Sequence, residues 1–544
     1  MKVSKRPILI ILAAAQFLMV LDQSVMNVSI SQLVEDFDTT VTTIQAVITL
    51  YSLTMAALMI TGGKLGDILG RRRAFSIGLV IYGVGSLLTA LSWSVPTLAL
   101  GWSLLEGVGA ALVLPALVAL TAANFEGKAR VAAYGVLGGV AGAGIAVGPI
   151  LGGWVTTNLT WRLVFAGEVV LVLAILLGAR KLADEATERW SEGLDWVGSV
   201  LSALGLAMIV FGVLQSSNWG WLQPRNSPIT PLGFSLVPFV IAAGVVVLAG
   251  FRSWEHRRER RGEEPLVHFR LLRITALRSG LGMFLAQNAI LMGIFFTVPL
   301  YLQVVQGYDA FKTGVEMLPV SIAMLVTATL ASRFAGRWSA RTLVRLGLAM
   351  LLIATAVLIG TIDPKINSTS FAVAMAAIGI GMGLIVSQLA NAVQSSVGDD
   401  ERSEAGGLQY TAQQLGAALG TALVGAVLIT GLLSSFSSNV ADDPRISAEV
   451  NQQVGVHLEG NVSFVSADQV RSAAGDAGID PTTTDAIVEG YEDAQLKALK
   501  TALLAAGFIV LAAFLSTGGL PSRPQGTTPG VSSEPDASLA TPSG

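Results

Sequence analysis

Three acidic residues stand inside otherwise apolar runs: Asp22 in LDQSVMNVSI, Glu106 in GWSLLEGVGAALVLPA and Glu168 in WRLVFAGEVV. On insertion scales a carboxylate at such a depth costs about 2.5–3.5 kcal/mol, so each needs a reason to be there. No Lys, Arg or His stands at comparable depth to neutralise them. A desolvated carboxyl without a partner favours its neutral form and can load and release a proton near neutral pH. Proton handling is therefore the chemistry these residues suggest, with cation handling a second possibility at Asp22. Glu106 stands about ten residues from one end of its run, roughly 15 Å at 1.5 Å per residue, near the middle of a bilayer. Blander roles exist for each. Asp22 can bond a neighbouring helix, Glu106 can act as a neutral glutamine mimic among Ser103, Gly107 and Ala111, and Glu168, nearer one surface, can be hydrated. Glu316 reads as a residue at the mouth of a later run.

Neutral polar groups sketch a pathway beside them. Gln16, Gln23 and Asn27 are spaced seven and four apart, one face of a helix. Asp22 and Ser29 share an adjacent face. Gln287, Asn288, Gln388 and Asn391 stand in later apolar runs and are expected to face this helix across the pathway. Trp102, one turn from Glu106, is placed to stack on an aromatic or cationic ligand, although packing is the commoner use of such a residue.

The elements that must position these groups are membrane spans. The 544 residues are 52% hydrophobic and only 13% charged, and the mean hydropathy is +0.65. That composition is an all-α polytopic membrane protein. Apolar runs of spanning length fall near 8–31, 43–63, 74–93, 97–122, 131–156, 163–180, 196–214, 233–251, 279–304, 312–332, 343–361, 370–392, 406–433 and 498–517, fourteen in all. Most of the 34 Lys and Arg fall on the side of the two termini. The short loops on the other side hold only Arg162, Arg225, Lys312 and Lys365. The positive-inside rule then places both termini in the cytoplasm and the chain in the cell membrane. The first run continues past Asp22 without a small-residue cleavage site, so it is read as a retained helix.

Other chemistries are excluded or disfavoured. With no Cys, disulfides, Fe–S clusters and thiolate metal sites are impossible. His256, His268 and His457 lie in polar loops, so no metal site is expected in the membrane. A net charge of −3 gives no nucleic-acid footprint. No phosphate-cradling G-x-x-x-x-G-K-[ST] sequence is present, and an enzyme is not expected.

Two glycine patterns carry the next inference. GGKLGDILGRRRA, from Gly62 to Ala74, spaces Gly63, Gly66 and Gly70 for a tight turn and close helix approach. Within it Asp67 can accept hydrogen bonds from a helix N-terminus, and Arg71, Arg72 and Arg73 keep that face positive. GGVAGAGIAVGPILGG, from Gly138 to Gly153, is apolar enough for lipid, yet glycine recurs every three or four residues. Such spacing lets backbones touch in a membrane, and Pro149 should bend the helix.

The first pattern resembles the cytoplasmic loop motif of the major facilitator superfamily. The second, Gly144-x-x-x-Gly148-Pro149-x-x-Gly152-Gly153, is similar to the motif of its antiporters. LDQSVMNVSI and PLYLQVVQGYDAFKTGVEMLP (Pro299 to Pro319) resemble segments of the fourteen-span drug–proton antiporters. The resemblance covers about residues 7–433 plus the last span. It implies two six-helix bundles with two extra helices between them, inverted three-helix repeats, and a substrate site near mid-membrane. It also implies a cytoplasmic gate at Gly63, Gly66, Asp67, Gly70, Arg71 and Arg72. The divisions expected are a first bundle over 1–181, extra helices over 182–252 and a basic linker on the inner leaflet over 253–278. The second bundle follows, with five helices over 279–433, an outer loop or small helical cap over 434–497 and a last helix over 498–518. A disordered tail is expected over 519–544. Within the cap, SADQVRSAAGDAG and DPTTTDAIVEGYEDAQLKAL read as helices, the second capped by Asp480.

The departures bear on coupling. Ser103 and Glu106 stand where the family usually has Arg and Gln, Glu168 and Val170 where it has Asn and Pro. Gly336 replaces the aspartate of a second loop motif, and Gln413 stands where Arg is common. The expectation is a monomeric exporter of amphipathic, cationic small organic compounds in exchange for protons, without cofactors and in contact with membrane lipids. Export of an endogenous lipid or metabolite is the alternative, and a non-transporting receptor the reading from another class.

Overall fold

A computed structural model describes residues 5–125, 127–182, 194–334, 338–398, 402–447 and 464–522. The tail beyond 522, residues 448–463 of the loop, Gly336, and the side chains of Asp67 and Asn391 lie outside the described residues. Among those described the chain is helical, without strands. Fourteen helices are long and apolar enough to cross a membrane, and this is a multi-pass membrane protein. They are α1 (Arg6–Val28), α2 (Val41–Gly66), α3 (Arg71–Ala90), α4 (Val95–Thr121), α5 (Gly139–Asn158), α6 (Arg162–Ala179) and α7 (Trp196–Ser216). The rest are α8 (Val237–Arg260), α9 (Thr275–Val305), α10 (Ala310–Ala331), α11 (Ala340–Thr361), α12 (Ser368–Gln394), α13 (Glu404–Asp442) and α14 (Pro481–Gly519).

An even number of spans leaves both ends of the chain on one side, here called the terminus side. Two seams join the halves: α5 packs against α10, and α2 against α13. The extra pair α7/α8 pack on one another, and α7 lies beside the α2/α13 seam.

The glycine-rich helix forms the first seam. Gly144, Gly148 and Gly152 share one face of α5, where an added Cβ would meet Val20, Ser24 and Val25 of α1. From the neighbouring face, a Cβ on Gly153 would meet the Ala310 carbonyl of α10, and one on Gly314 the Pro149 carbonyl. Pro149 cannot donate a backbone bond to Ile145, four residues earlier. The Ser321 hydroxyl of α10 donates to that freed carbonyl at 3.2 Å, so the expected break in α5 is satisfied across the seam. In lipid every backbone group needs such a partner.

On the side away from the termini the halves are tied together: Gln303 donates to the Val28 carbonyl at 2.8 Å, and Phe311 N donates to Thr157 Oγ1 at 3.1 Å. Within the first half, Ser29 pairs with Thr156 at 3.0 Å. A short helix, Ile30–Asp36, is clamped by Asp36, whose Oδ2 accepts from Trp161 Nε1 and Arg162 Nη1, each at 2.8 Å. Partial burial opposes ionisation of Asp36, but Gln32, Trp161 and Arg162 together outweigh it and hold the carboxyl below its usual value.

α13 and α14 run on into the loop between them, each 39 residues long, about 58 Å against a hydrocarbon core of about 30 Å. The expected helix at Ala467–Asp476 forms with a Ser466–Gln469 capping box, and Asp480 caps α14 through Thr482 N and Thr483 N. Gln495 donates to the Val465 carbonyl and Phe436 meets Tyr491 edge to face, which docks the outgrowth on the two long helices. The linker after α8 is more than a surface segment. Glu255 accepts from Leu266 N at 2.7 Å, Lys64 pairs with Glu264 at 3.1 Å, and His268 Nδ1 meets Glu404 at 2.9 Å.

Candidate functional site: a buried three-carboxyl pocket

Asp22, Glu106 and Glu168 converge from α1, α4 and α6. One carboxylate oxygen from each lies within 4.8 Å of the others, and their exposures are 0%, 0% and 2%. Glu168, expected nearer to water, is thus buried.

Local sequence explains the convergence. α3 and α4 approach so closely that a Cβ on Gly85 would sit 2.7 Å from Glu106 Cγ, and one on Gly101 would sit 2.7 Å from Thr89 Oγ1. Only glycine permits that contact. Residues Ala99–Glu106 form a π-helical turn, a wider winding that recurs at functional sites. It ends at Glu106 and sets the direction in which that residue leaves the helix.

Each carboxyl has one oxygen held by donors. Trp102 Nε1 donates to Asp22 Oδ1 at 2.7 Å, and Thr89 Oγ1 to Glu106 Oε1 at 3.1 Å. Ser86 Oγ and Tyr82 Oη donate to Glu168 Oε2 at 3.2 and 3.3 Å. The opposite oxygens, Asp22 Oδ2, Glu106 Oε2 and Glu168 Oε1, have no partner. None of the three joins an ion pair among the described residues. With no cationic partner, the pocket can hold titratable protons in a dry environment.

The donors are what sequence reasoning missed. Tyr82, Ser86 and Thr89 recur at intervals of four and three on α3, a polar stripe that marks one helical face. Tyr51 also escaped notice; its ring stacks on Trp102 with centroids 4.5 Å apart. Trp102, read as a ligand-stacking residue, is 1% exposed and spends its ring on Tyr51 and its N–H on Asp22.

The pathway residues divide. Gln23 of α1 meets Gln414 of α13 at 3.4 Å and so bridges the halves, while Asn27 donates to the Gln23 carbonyl at 2.7 Å. Gln16 is buried. Gln287 and Gln388 are buried with their carbonyl oxygens unpartnered, and Asn288 donates to the Phe284 carbonyl in its own helix. Gln45, not singled out by sequence, ties α2 to the Thr421 carbonyl of α13 at 2.9 Å. Glu316 accepts from Ser368 at an exposed site.

At the loop motif, a Cβ on Gly62 would strike the Ala111 carbonyl of α4, and a Cβ added to Gly63 or Gly66 would lie 3.7 or 3.9 Å from the side chain of Pro115 or Ala74. Gly70 joins α2 to α3 at φ +95°, a conformation that glycine adopts without strain.

The chain is a polytopic helical bundle with two seams and a dry acidic pocket, and its family makes it a membrane transport protein, not an enzyme. A family model of the Major Facilitator Superfamily matches residues 12–421, so the chain belongs to that superfamily, and its spans fit the fourteen-span drug–proton antiporter type. Among curated relatives, the puromycin resistance protein of Streptomyces alboniger is 32% identical over 81% of this chain and 85% of its own. The probable actinorhodin transporter of Streptomyces coelicolor is 30% identical over 80% of this chain and 74% of its own. The fold is also similar to a bacterial homologue of the human lysosomal transporter Spinster, solved inward-facing and unoccupied. There the TM-score is 0.58 at 16% identity, covering 95% of this chain and 98% of that one.

Proposed function

We propose that the chain is a secondary active exporter that exchanges protons for amphipathic, cationic small organic compounds, with Asp22, Glu106 and Glu168 as the proton-loading group. The observation that carries this reading is the burial of three carboxyls in one pocket without a basic partner. Two relatives whose names denote antibiotic resistance or transport support export of small molecules. The basic residues of the terminus side favour a cytoplasmic location for both ends and the plasma membrane as the site of action. Gly63, Gly66, Asp67, Gly70, Arg71 and Arg72 serve as the cytoplasmic gate, and the Gly144–Gly153 spine as the seal on the α5/α10 seam. No cofactor is required; the proton gradient supplies the energy, and the unit is a monomer. Dye efflux from vesicles under an imposed proton gradient is the test. Efflux unchanged in a double variant, Asp22→Asn with Glu106→Gln, would remove the pocket from coupling.

A second reading rests on α13 and α14. Their extensions form a docked outgrowth, which on the exit side would suit passing on a lipid or other endogenous cargo. Deleting 440–490 separates the two: drug efflux left whole while delivery of an envelope lipid stops would favour this reading.

A further inference from the structure

The pocket contains more oxygen than its donors satisfy. Asp22 Oδ2, Glu106 Oε2 and Glu168 Oε1 are all buried and unpartnered. Beside them is a fourth oxygen from outside the acidic set. The Tyr51 hydroxyl is buried and lies against the Asp22 carboxyl, to which its proton can turn, and no group donates to its oxygen. That lone pair is free to meet a cation.

We propose that Asp22, Glu106, Glu168 and Tyr51 bind a dehydrated, sodium-sized monovalent cation. This names a second ion for the pocket already assigned to protons. Three properties converge on that class. The donor set is oxygen only, which selects hard cations over transition metals. Oxygens around one ion are separated by at most twice the ion–oxygen distance. That limit is about 4.0–4.2 Å for magnesium and about 4.6–5.2 Å for an ion of calcium's size; sodium is close to calcium in radius. One carboxylate oxygen from each of the three residues lies within 4.8 Å of the others, inside the limit for the larger ion. Calcium itself takes six to eight oxygens, whereas the pocket frees four, Tyr51 included. A single positive charge also needs only one of the three carboxyls ionised, which leaves the pocket neutral in a low dielectric.

Binding of radioactive sodium to the purified full-length chain in detergent tests this. The expected result is saturable binding of about one ion per chain, displaced by excess sodium or lithium but not by choline. Tyr51→Phe should weaken the affinity several-fold, and Glu106→Gln should abolish saturable binding. Non-saturable binding by the wild-type chain would overturn the proposal, whatever the variants do. Proton-driven dye efflux in sodium-free medium is measured in parallel. Efflux without sodium binding defeats the cation site and leaves proton exchange standing, whereas sodium binding without proton-driven efflux does the reverse.

Discussion

At the scale of single residues, the pocket works because each carboxyl is half satisfied. The oxygen that accepts a hydrogen bond fixes the side chain, and the free oxygen remains available for a proton. Trp102 illustrates the division. Its indole N–H orients Asp22 while its ring is held by Tyr51. Trp102→Phe keeps an aromatic ring for the stack and removes the donor. Since one such bond is worth about 1 kcal/mol, initial efflux rates should fall several-fold with coupling retained, whereas Asp22→Asn should abolish proton-driven efflux. Equal effects of the two would mean that Trp102 does more than position Asp22. The carboxyls were legible in the sequence because charge inside an apolar run is conspicuous. Their donors were not, because hydroxyls in apolar helices are common and only the fold shows which of them face a carboxyl. Depth also misled: distance along α6 put Glu168 near water, but α3 covers it with Tyr82 and Ser86.

At the scale of helices, the α5 spine and its Pro149 are the instructive elements. Spaced glycines announced a close approach, and the neighbours supply its content: α1 on one face, α10 on the next. An added side chain at Gly148 has Ser24 in its way, whereas a Cβ at Gly139 meets nothing within 4 Å. Gly148→Leu should therefore block efflux in a chain that still purifies as a single species, because overpacking costs about 1–3 kcal/mol or more; Gly139→Ala should transport normally. Ser321, invisible as a partner in sequence, takes the carbonyl that Pro149 releases. Ser321→Ala leaves that carbonyl unpaired, at about 1–3 kcal/mol, and should lower the thermal midpoint; a Gly substituted for Pro149 in the same chain should restore part of the loss. The π-helical turn before Glu106 was likewise unreadable, since a periodicity of 3.6 assumes the winding that this turn abandons.

The Asp36 clamp gives the side away from the termini a pH dependence. Its carboxyl binds a proton less readily in the folded chain than in the unfolded one. Its contribution is therefore complete above the ordinary carboxylate value and is lost as pH falls through the lower folded value. The pair with Arg162 is partly exposed, so the loss is modest, on the order of 1 kcal/mol or less. Amide exchange over residues 29–36 should accelerate as the pH is lowered into that acidic range, and the acceleration should be absent in Asp36→Asn, which lacks the titrating group.

At the scale of the whole molecule, the count of spans followed from hydropathy and their sidedness from basic-residue placement, whereas the paired halves and the extra helix pair came from the resemblance to the major facilitator superfamily. Two features followed from neither. α13 continues as a helix past its apolar run because its polar end packs against the capped extension of α14, and hydropathy sees only the apolar part. The linker after α8 docks through Glu255, whose burial depends on backbone donors that no side-chain pattern reveals. The three carboxyls of the pocket all lie in the first half, with the seams to the second half formed by α5/α10 and α2/α13. The central claim is that protons loaded in that pocket move opposite to the exported compound. The direct measurement is proton movement in proteoliposomes, read with a trapped pH dye when a transported cationic dye is added to one side. The account predicts a dye-evoked proton flux in the opposite direction, abolished in Asp22→Asn. Dye transport with no accompanying proton flux in the wild-type chain would contradict it.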